Sequence, residues 1–323
     1  MNNIWDQNRP IFILAPMEAV TDVVFRHIIK RAASPDIFFS EFTNATAWYR
    51  AGDKATGGRL IKTSDETNLI AQLWGTDAES MSHFAKHIKE LGFAGIDINM
   101  GCPDKSAIKS GGGAAMIKNP LLAAKIIEAA KVTDLPVSVK TRIGYSSLDE
   151  MENWISTLLK QNLIALTVHL RTKKEMSKVP AHYELIPKII ELRDELSPST
   201  KLIWNGDIKN YKEGISLLNK YGGDGIMIGR GVFTNPFAFE KEERIHSKKE
   251  LLDLLFLQLD LYDKYQTKLN RPFDTLKRYF KIYIRDFDGA SELRNELMTK
   301  AKSTDDTREI INNFLNTKID QKT

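Results

Sequence analysis

The chain has 323 residues, 42% of them hydrophobic and 27% charged, with a net charge of +4 at pH 7. That length can bury a large core and suits one big domain with a smaller one beside it. The single cysteine excludes an internal disulfide, the first residues lack the basic-then-apolar order of a signal peptide, and no apolar run approaches the ~18 residues of a membrane span, so a cytoplasmic protein is expected.

Short apolar runs alternate with amphipathic helical patterns. The predicted strands are 11–15, 37–42, 69–73, 95–98, 137–141, 165–169, 202–205 and 225–228; helical patterns cover 21–33, 79–91, 121–131, 148–160, 183–196 and 211–221. Uniformly apolar strands alternating with helices read as parallel strands covered on the outside, and these units within 1–240 fit a (β/α)8 TIM barrel. The stretch 44–67 is polar and poorly periodic. Beyond Phe239 a polar run, 240–250, leads into a pattern helical throughout from 251 to 315, so 241–323 is expected to form a small all-helical domain. Its aromatic stripe, Tyr279, Phe280, Tyr283, Ile284 and Phe287, reads as core.

Function in such a barrel gathers at the C-terminal strand ends. There the sequence places Pro16, Met17 and Glu18 after the first strand, Gln72 on the third, Asn99 and Cys102 after the fourth, Lys140 and Arg142 on the fifth, His169 and Arg171 on the sixth, Asn205, Gly206 and Asp207 after the seventh, and Gly229 and Arg230 after the eighth. Gly206 and the pair Gly229-Arg230 suit a phosphate, because barrel phosphate sites use the loops after strands seven and eight. Lys140, at the end of an apolar strand, would stabilise negative charge on a bound ring system. A lone cysteine is usually a small buried hydrophobe, and only its place beside these groups argues for more. No histidine pair has metal-ligand spacing, so no metal is expected.

The motifs Ala15-Pro-Met17, Gln72-Leu-Trp-Gly75, Asp97-Ile-Asn-Met-Gly-Cys-Pro103, Ser110-Gly-Gly-Gly-Ala-Ala115, Val139-Lys-Thr-Arg-Ile-Gly144, His169-Leu-Arg-Thr172, Asn205-Gly-Asp-Ile208 and Met227-Ile-Gly-Arg-Gly231 resemble those of tRNA-dihydrouridine synthases, in family order across the barrel. The resemblance implies FMN as cofactor, NADPH as reductant and tRNA as substrate, in a protein expected to be a monomer. It implies that Pro16, Met17 and Glu18 line the flavin ring, with Gln72 and Lys140 hydrogen-bonding it. His169 would lie against the flavin, while Asn205, Gly206, Asp207, Gly229 and Arg230 hold its phosphate. Cys102 matches the family's catalytic cysteine, and Asn99 and Arg142, with Arg171 nearby, fall at positions that face the target base. The implied reaction reduces the C5–C6 bond of a uridine, with hydride from reduced flavin to C6 and a proton from Cys102 to C5.

A tRNA substrate needs a basic surface, and Lys277, Arg278, Lys281 and Arg285 follow helical spacing in the tail; a solvated helix face is the ordinary alternative. Two departures from the family pattern, Leu170 in place of glycine and the region His182-Tyr183-Glu184 in place of a tryptophan, fall near the expected substrate side. Ser110-Gly-Gly-Gly113 and the tail segment Tyr283-Ile-Arg-Asp-Phe-Asp-Gly-Ala-Ser-Glu-Leu293 look most like the bacterial C subfamily, which implies a D-loop uridine at position 16. Two other readings stay open: an FMN barrel oxidoreductase acting on a small pyrimidine or enone, and a non-catalytic tRNA-binding protein.

Overall fold

The computed structural model of the protein describes residues 3–7 and 9–320; positions 1, 2 and 8 of the expected barrel unit and 321–323 of the expected helical unit lie outside them. In chain order the elements are β1 (Ile11–Leu14), α1 (Val23–Ala33), β2 (Ile37–Phe39), β3 (Thr43–Asn44), α2 (Ala45–Ala51), β4 (Leu69–Trp74), α3 (Ala78–Glu90), β5 (Gly95–Met100), α4 (Lys105–Lys109), α5 (Pro120–Ala130), β6 (Val137–Gly144), α6 (Met151–Leu159), β7 (Ala165–Thr172), α7 (Ile186–Leu196), β8 (Lys201–Asn205), α8 (Tyr211–Tyr221), β9 (Gly225–Ile228) and α9 (Gly231–Thr234). The tail adds α10 (Lys248–Leu269), α11 (Asp274–Lys277), α12 (Phe280–Tyr283), α13 (Ala290–Lys300) and α14 (Thr304–Asp320).

Every strand pairing is parallel; β9 returns to β1, and β2 pairs with both β1 and β4, so the sheet closes. β2 and β3 share one position against β4, which makes the closed sheet the expected TIM barrel. Strand periodicity explains its two cores. Ile11, Ile13, Ile37, Phe39, Ile70, Ala165, Ile203 and Met227 form one buried cluster, while their alternate neighbours Phe12, Leu14, Phe38, Leu69 and Ile226 belong to a second cluster shared with the helices. The same alternation places Gln72, Asp97, Asn99, Ser138, Lys140, Thr167, His169 and Asn205 on the inward rows. Apolar side chains fill the N-terminal end of those rows, and polar ones crowd the C-terminal end.

The expected second strand, 37–42, is broken. Ser40 supplies the reason: its hydroxyl accepts from the Gln72 backbone N–H at 3.1 Å, where a strand would offer a carbonyl, and donates to the Glu41 carbonyl at 2.9 Å. The poorly periodic stretch that follows holds the short helix α2, with Asn44 capping it by accepting from Ala47 N at 2.7 Å. β6 and β7 run past their expected ends to Gly144 and Thr172, so Lys140 lies within its strand.

The tail is not helical throughout. Between α10 and α13 only two four-residue helices form, and Tyr279, Phe280 and Tyr283 are buried as expected. α10 starts with a capping box at Ser247 and Glu250 and packs on α1. Tyr279 stacks on Phe25 of α1 (ring centroids 5.2 Å apart) and on Phe233 of α9 (6.2 Å), and Arg285 donates to the Thr234 carbonyl. Among the described residues no helix is long and apolar enough to cross a membrane.

Candidate functional site

Two cavities open at the C-terminal end of the barrel. The first, about 450 Å³, lies over the ends of β1, β8 and β9 and is lined by Pro16, Met17, Lys140, His169, Asn205, Gly206, Asp207, Gly229 and Arg230. Nine of the sequence-selected residues therefore meet in one place. Lys209 and Thr234 complete the wall; sequence reasoning missed both, although Lys209 directly follows the Asn-Gly-Asp-Ile motif. The second cavity, about 930 Å³, is lined by Cys102, Pro103, Asp104, Lys105, Trp74, Asn44, Arg59, Met176 and Glu18.

The first cavity is cationic. Lys140 Nζ donates to Asn205 Oδ1 at 3.1 Å, and Asn205 Nδ2 donates to the Met227 carbonyl at 2.8 Å, tying β6 to β8 and β9. Burial, assisted by the Arg142 charge, lowers the Lys140 pKa to about 8. Burial and the cations Lys140, Arg142, Arg171 and Arg230 hold the His169 imidazole well below its ordinary pKa, so it stays neutral. Arg171, almost fully buried, donates to the Val179 carbonyl at 2.6 Å and pairs with Asp207, leaving the largely exposed Arg230 3.6 Å from that carboxylate. Arg171 thus orders the phosphate-side loop and lies apart from the Cys102 cavity.

Gly206 adopts φ +126°, and a Cβ there would come within 3.1 Å of Ala181 Cβ and 3.2 Å of His169 Cδ2. A Cβ at Gly229 would meet Ala15 Cβ at 3.5 Å and Met17 Sδ at 3.9 Å, filling the cavity floor. Thr167, on the same inward rows, has a buried hydroxyl without a hydrogen-bond partner. A glycine floor, a part-buried ammonium, a neutral imidazole and the exposed Arg230 at the β9–α9 turn form a donor set suited to a flat ring carrying a phosphate, so a flavin mononucleotide fits.

Cys102 is half-buried on the turn after β5. Burial raises its thiol pKa, opposed by the Asp104 backbone N–H, so the sulfur is protonated at neutral pH. The turn is held from several sides. Asn99 Oδ1 accepts from Gly101 N at 3.1 Å and Cys102 N at 2.9 Å, and Arg142 Nε donates to the Gly101 carbonyl at 2.9 Å. Gly113, at φ +56°, lies so close that a Cβ would meet the Cys102 carbonyl at 2.7 Å, which explains the glycine run.

Several expected placements change. Asn99 and Arg142 were expected to face the target base; Asn99 spends its acceptor on the turn, and the Arg142 donors go to the carbonyls of Gly101, Thr172 and Met176. Glu18 lies in the Cys102 cavity, paired with Arg59, and is not against the ring pocket. Gln72 lines neither cavity: it is fully buried, bonded to Asp97 and Asn99. Leu170 is buried in the outer core, away from the substrate side, and Tyr183 donates to the Gly206 carbonyl, so both departures bear on packing and the phosphate loop. In the tail Arg278 and Lys281 are exposed, whereas Lys277 pairs with Asp274 at 3.0 Å and Arg285 is spent on Thr234 and Asp286. Asp97 was quoted within a motif but given no role; it is fully buried between Gln72 and Ser138. Among the described residues no group of three or more His, Cys, Asp or Glu converges on a metal position.

The sequence profile of the dihydrouridine synthase family (Dus) matches residues 13–320. A probable tRNA-dihydrouridine synthase 2 from Bacillus subtilis (strain 168) is 52% identical over 314 residues, covering 97% of this chain and 96% of that protein. Probable tRNA-dihydrouridine synthases from Staphylococcus epidermidis (strain RP62A) and Staphylococcus aureus (strain COL) are 51% and 50% identical, covering 97% of this chain and 96% and 95% of theirs. With the barrel, the two cavities and the cysteine turn in place, this chain belongs to the dihydrouridine synthase family.

Proposed function

We propose that this protein reduces a uridine of tRNA to 5,6-dihydrouridine, using FMN in the glycine-floored cavity and NADPH as reductant. The observation that carries the reading is the adjacency, at one barrel mouth, of a cationic ring-and-phosphate cavity and a second cavity bearing a cysteine kept as a thiol. When bound, reduced flavin supplies a hydride to C6 of the uracil. The chain's own residues do the rest. Lys140 holds positive charge beside the ring, His169 packs against it as a neutral imidazole, and Asn205 fixes the Lys140 ammonium. Gly206, Asp207, Gly229 and Arg230 hold the phosphate end.

Cys102 protonates C5. A thiol whose pKa is raised by burial carries the proton that this step delivers, whereas a thiolate could not. The 930 Å³ cavity has room for a base, which must leave the tRNA stack to reach it. Asn99 and Arg142 keep the Cys102 turn in place beneath that base. Exposed Arg278 and Lys281 offer charge to the RNA backbone from the tail domain, residues 241–323, while 1–240 carries the chemistry.

The enzyme acts as a cytoplasmic monomer, and the likeness to the C subfamily favours position 16 of the D-loop. Mapping dihydrouridine in tRNA from a deletion strain, with and without the complementing gene, tests the function and the position. Loss and recovery of dihydrouridine at position 16 is the expected result; recovery elsewhere moves the target, and no loss at any position overturns the function.

A further inference from the structure

Beneath the Cys102 turn, a chain of buried polar side chains runs from β5 to the neighbouring β4, back to β5 and on to β6. At one end the backbone N–H groups of Gly101 and Cys102 donate to Asn99 Oδ1 at 3.1 and 2.9 Å. Asn99 Nδ2 donates to Gln72 Oε1 at 3.0 Å, and Gln72 Nε2 donates to Asp97 Oδ2 at 2.7 Å. Ser138 Oγ closes the far end, donating to Asp97 Oδ1 at 2.7 Å. All four side chains are buried, Asn99 the least at 8% exposed.

The two ends of this chain differ in kind. Backbone N–H groups can only donate, and an ionised carboxylate can only accept. The Gln72 and Asn99 amides between them can each face either way in isolation. Here the carboxylate draws the Gln72 NH2 toward itself, which turns the Gln72 oxygen toward Asn99. That in turn aims the Asn99 NH2 at Gln72 and its oxygen at the Cys102 turn. Reversing either amide would set donor against donor or oxygen against oxygen inside a dry core, where each unmet group is costly.

We propose that Asp97 is a positioning residue for Cys102, fixing through the Gln72 and Asn99 amides the one side-chain acceptor that receives both the Gly101 and Cys102 N–H groups. The inference rests on the proton-donor role of Cys102 proposed above. Asp97 touches neither cavity, so its influence on the reaction runs only through this relay and through its charge near Lys140.

The polarity argument gives a test that a packing role would fail. The Asp97→Asn variant removes the accept-only end of the chain: an amide at position 97 can meet Gln72 with its oxygen or its NH2, so the Gln72 and Asn99 amides can both turn over and the relay loses its fixed sense. Adding Gln72→Glu restores it, because a carboxylate at position 72 only accepts, from the NH2 at position 97 on one side and from Asn99 Nδ2 on the other. The two readouts are the iodoacetamide alkylation rate of Cys102 and the split of kcat from KM on unmodified tRNA. The single variant is expected to move the alkylation rate by about fivefold or more and lower kcat about 10- to 100-fold, with KM for tRNA changed far less. The double variant is expected to return the alkylation rate to within about twofold of wild type.

A double variant no better than Asp97→Asn alone, or a single variant indistinguishable from wild type, overturns the relay. Wild-type protein that forms no dihydrouridine overturns the functional reading instead. In that case the alkylation series still decides whether the relay sets the Cys102 turn.

Discussion

Arg271, in the loop between α10 and α11, grips Glu41, 230 residues earlier at the break between β2 and β3: its Nη2 donates to both Glu41 carboxylate oxygens at 2.7 Å, and Nη1 donates to Asp22 at 2.6 Å. Glu41 is fully buried; burial raises its pKa, and the Arg271 charge opposes the rise. The next residues, Phe42, Thr43 and Asn44, form a wall of the Cys102 cavity, so this contact ties the helical tail to the substrate side of the barrel. Removing one partner leaves a buried charge uncompensated. Arg271→Met is expected to destabilise the fold by about 3–5 kcal/mol, read as a lower thermal midpoint, whereas Arg271→Met with Glu41→Gln should recover part of the loss. A midpoint unchanged in the single variant would show the contact to be idle.

Cys102→Ala removes a half-buried thiol that does not line the first cavity, so the barrel and that cavity should survive. Flavin content per chain is expected to match wild type, while dihydrouridine formation on unmodified tRNA falls by about 10²- to 10⁴-fold, the range for loss of a general acid. Because burial pushes the thiol above its ordinary range, alkylation of Cys102 at neutral pH should be slower than that of free cysteine and should rise with pH well into the alkaline range. Near-normal turnover in the alanine variant would remove Cys102 from the chemistry.

Lys140 sets a pH limit on the cofactor cavity. With its pKa lowered to about 8, the ammonium is charged at neutral pH and is lost as pH rises through that value. If Lys140 meets a bound flavin ring, a charge-assisted hydrogen bond to it would form below about 8 and weaken above it. FMN affinity of flavin-stripped protein is expected to weaken by up to about 10-fold between pH 7 and pH 9, the limit for one proton lost near 8. Lys140→Met should bind weakly throughout and lose that pH dependence; a variant with the wild-type profile would assign the titration to another group.

Much of this was legible in the chain because strand periodicity is a local property. The uniformly apolar run Ile11–Leu14 announces by itself a strand buried on both faces, and the polar residues at the strand ends mark the barrel mouth. What escaped was set by distant partners. The strand break at Ser40 depends on a hydroxyl that replaces a carbonyl for Gln72, and Glu41 acquires its meaning only from Arg271. Asp97 reads as one more letter of a motif until Gln72, on the neighbouring strand, supplies the amide that it orients. Glu18 sits next to ring-lining residues in sequence, yet Arg59 turns it toward the other cavity.

The tail shows the same limit in its charges. Helical spacing alone groups Lys277, Arg278, Lys281 and Arg285, but two short helices separate them, and Lys277 and Arg285 are occupied by Asp274, Thr234 and Asp286. Arg278 and Lys281 remain exposed to solvent. If both meet RNA phosphates, the double substitution Arg278→Glu and Lys281→Glu should weaken tRNA binding and flatten the dependence of log Kd on log salt by about two. The same change at Lys277 and Arg285 should leave that slope nearly intact and lower the thermal midpoint instead, because those side chains brace the tail. Binding measured at a series of salt concentrations separates the two outcomes. A slope unaltered by the Arg278 and Lys281 substitutions would move the RNA-binding face off this part of the tail, and Lys105, exposed at the Cys102 cavity, is the next cation to reverse.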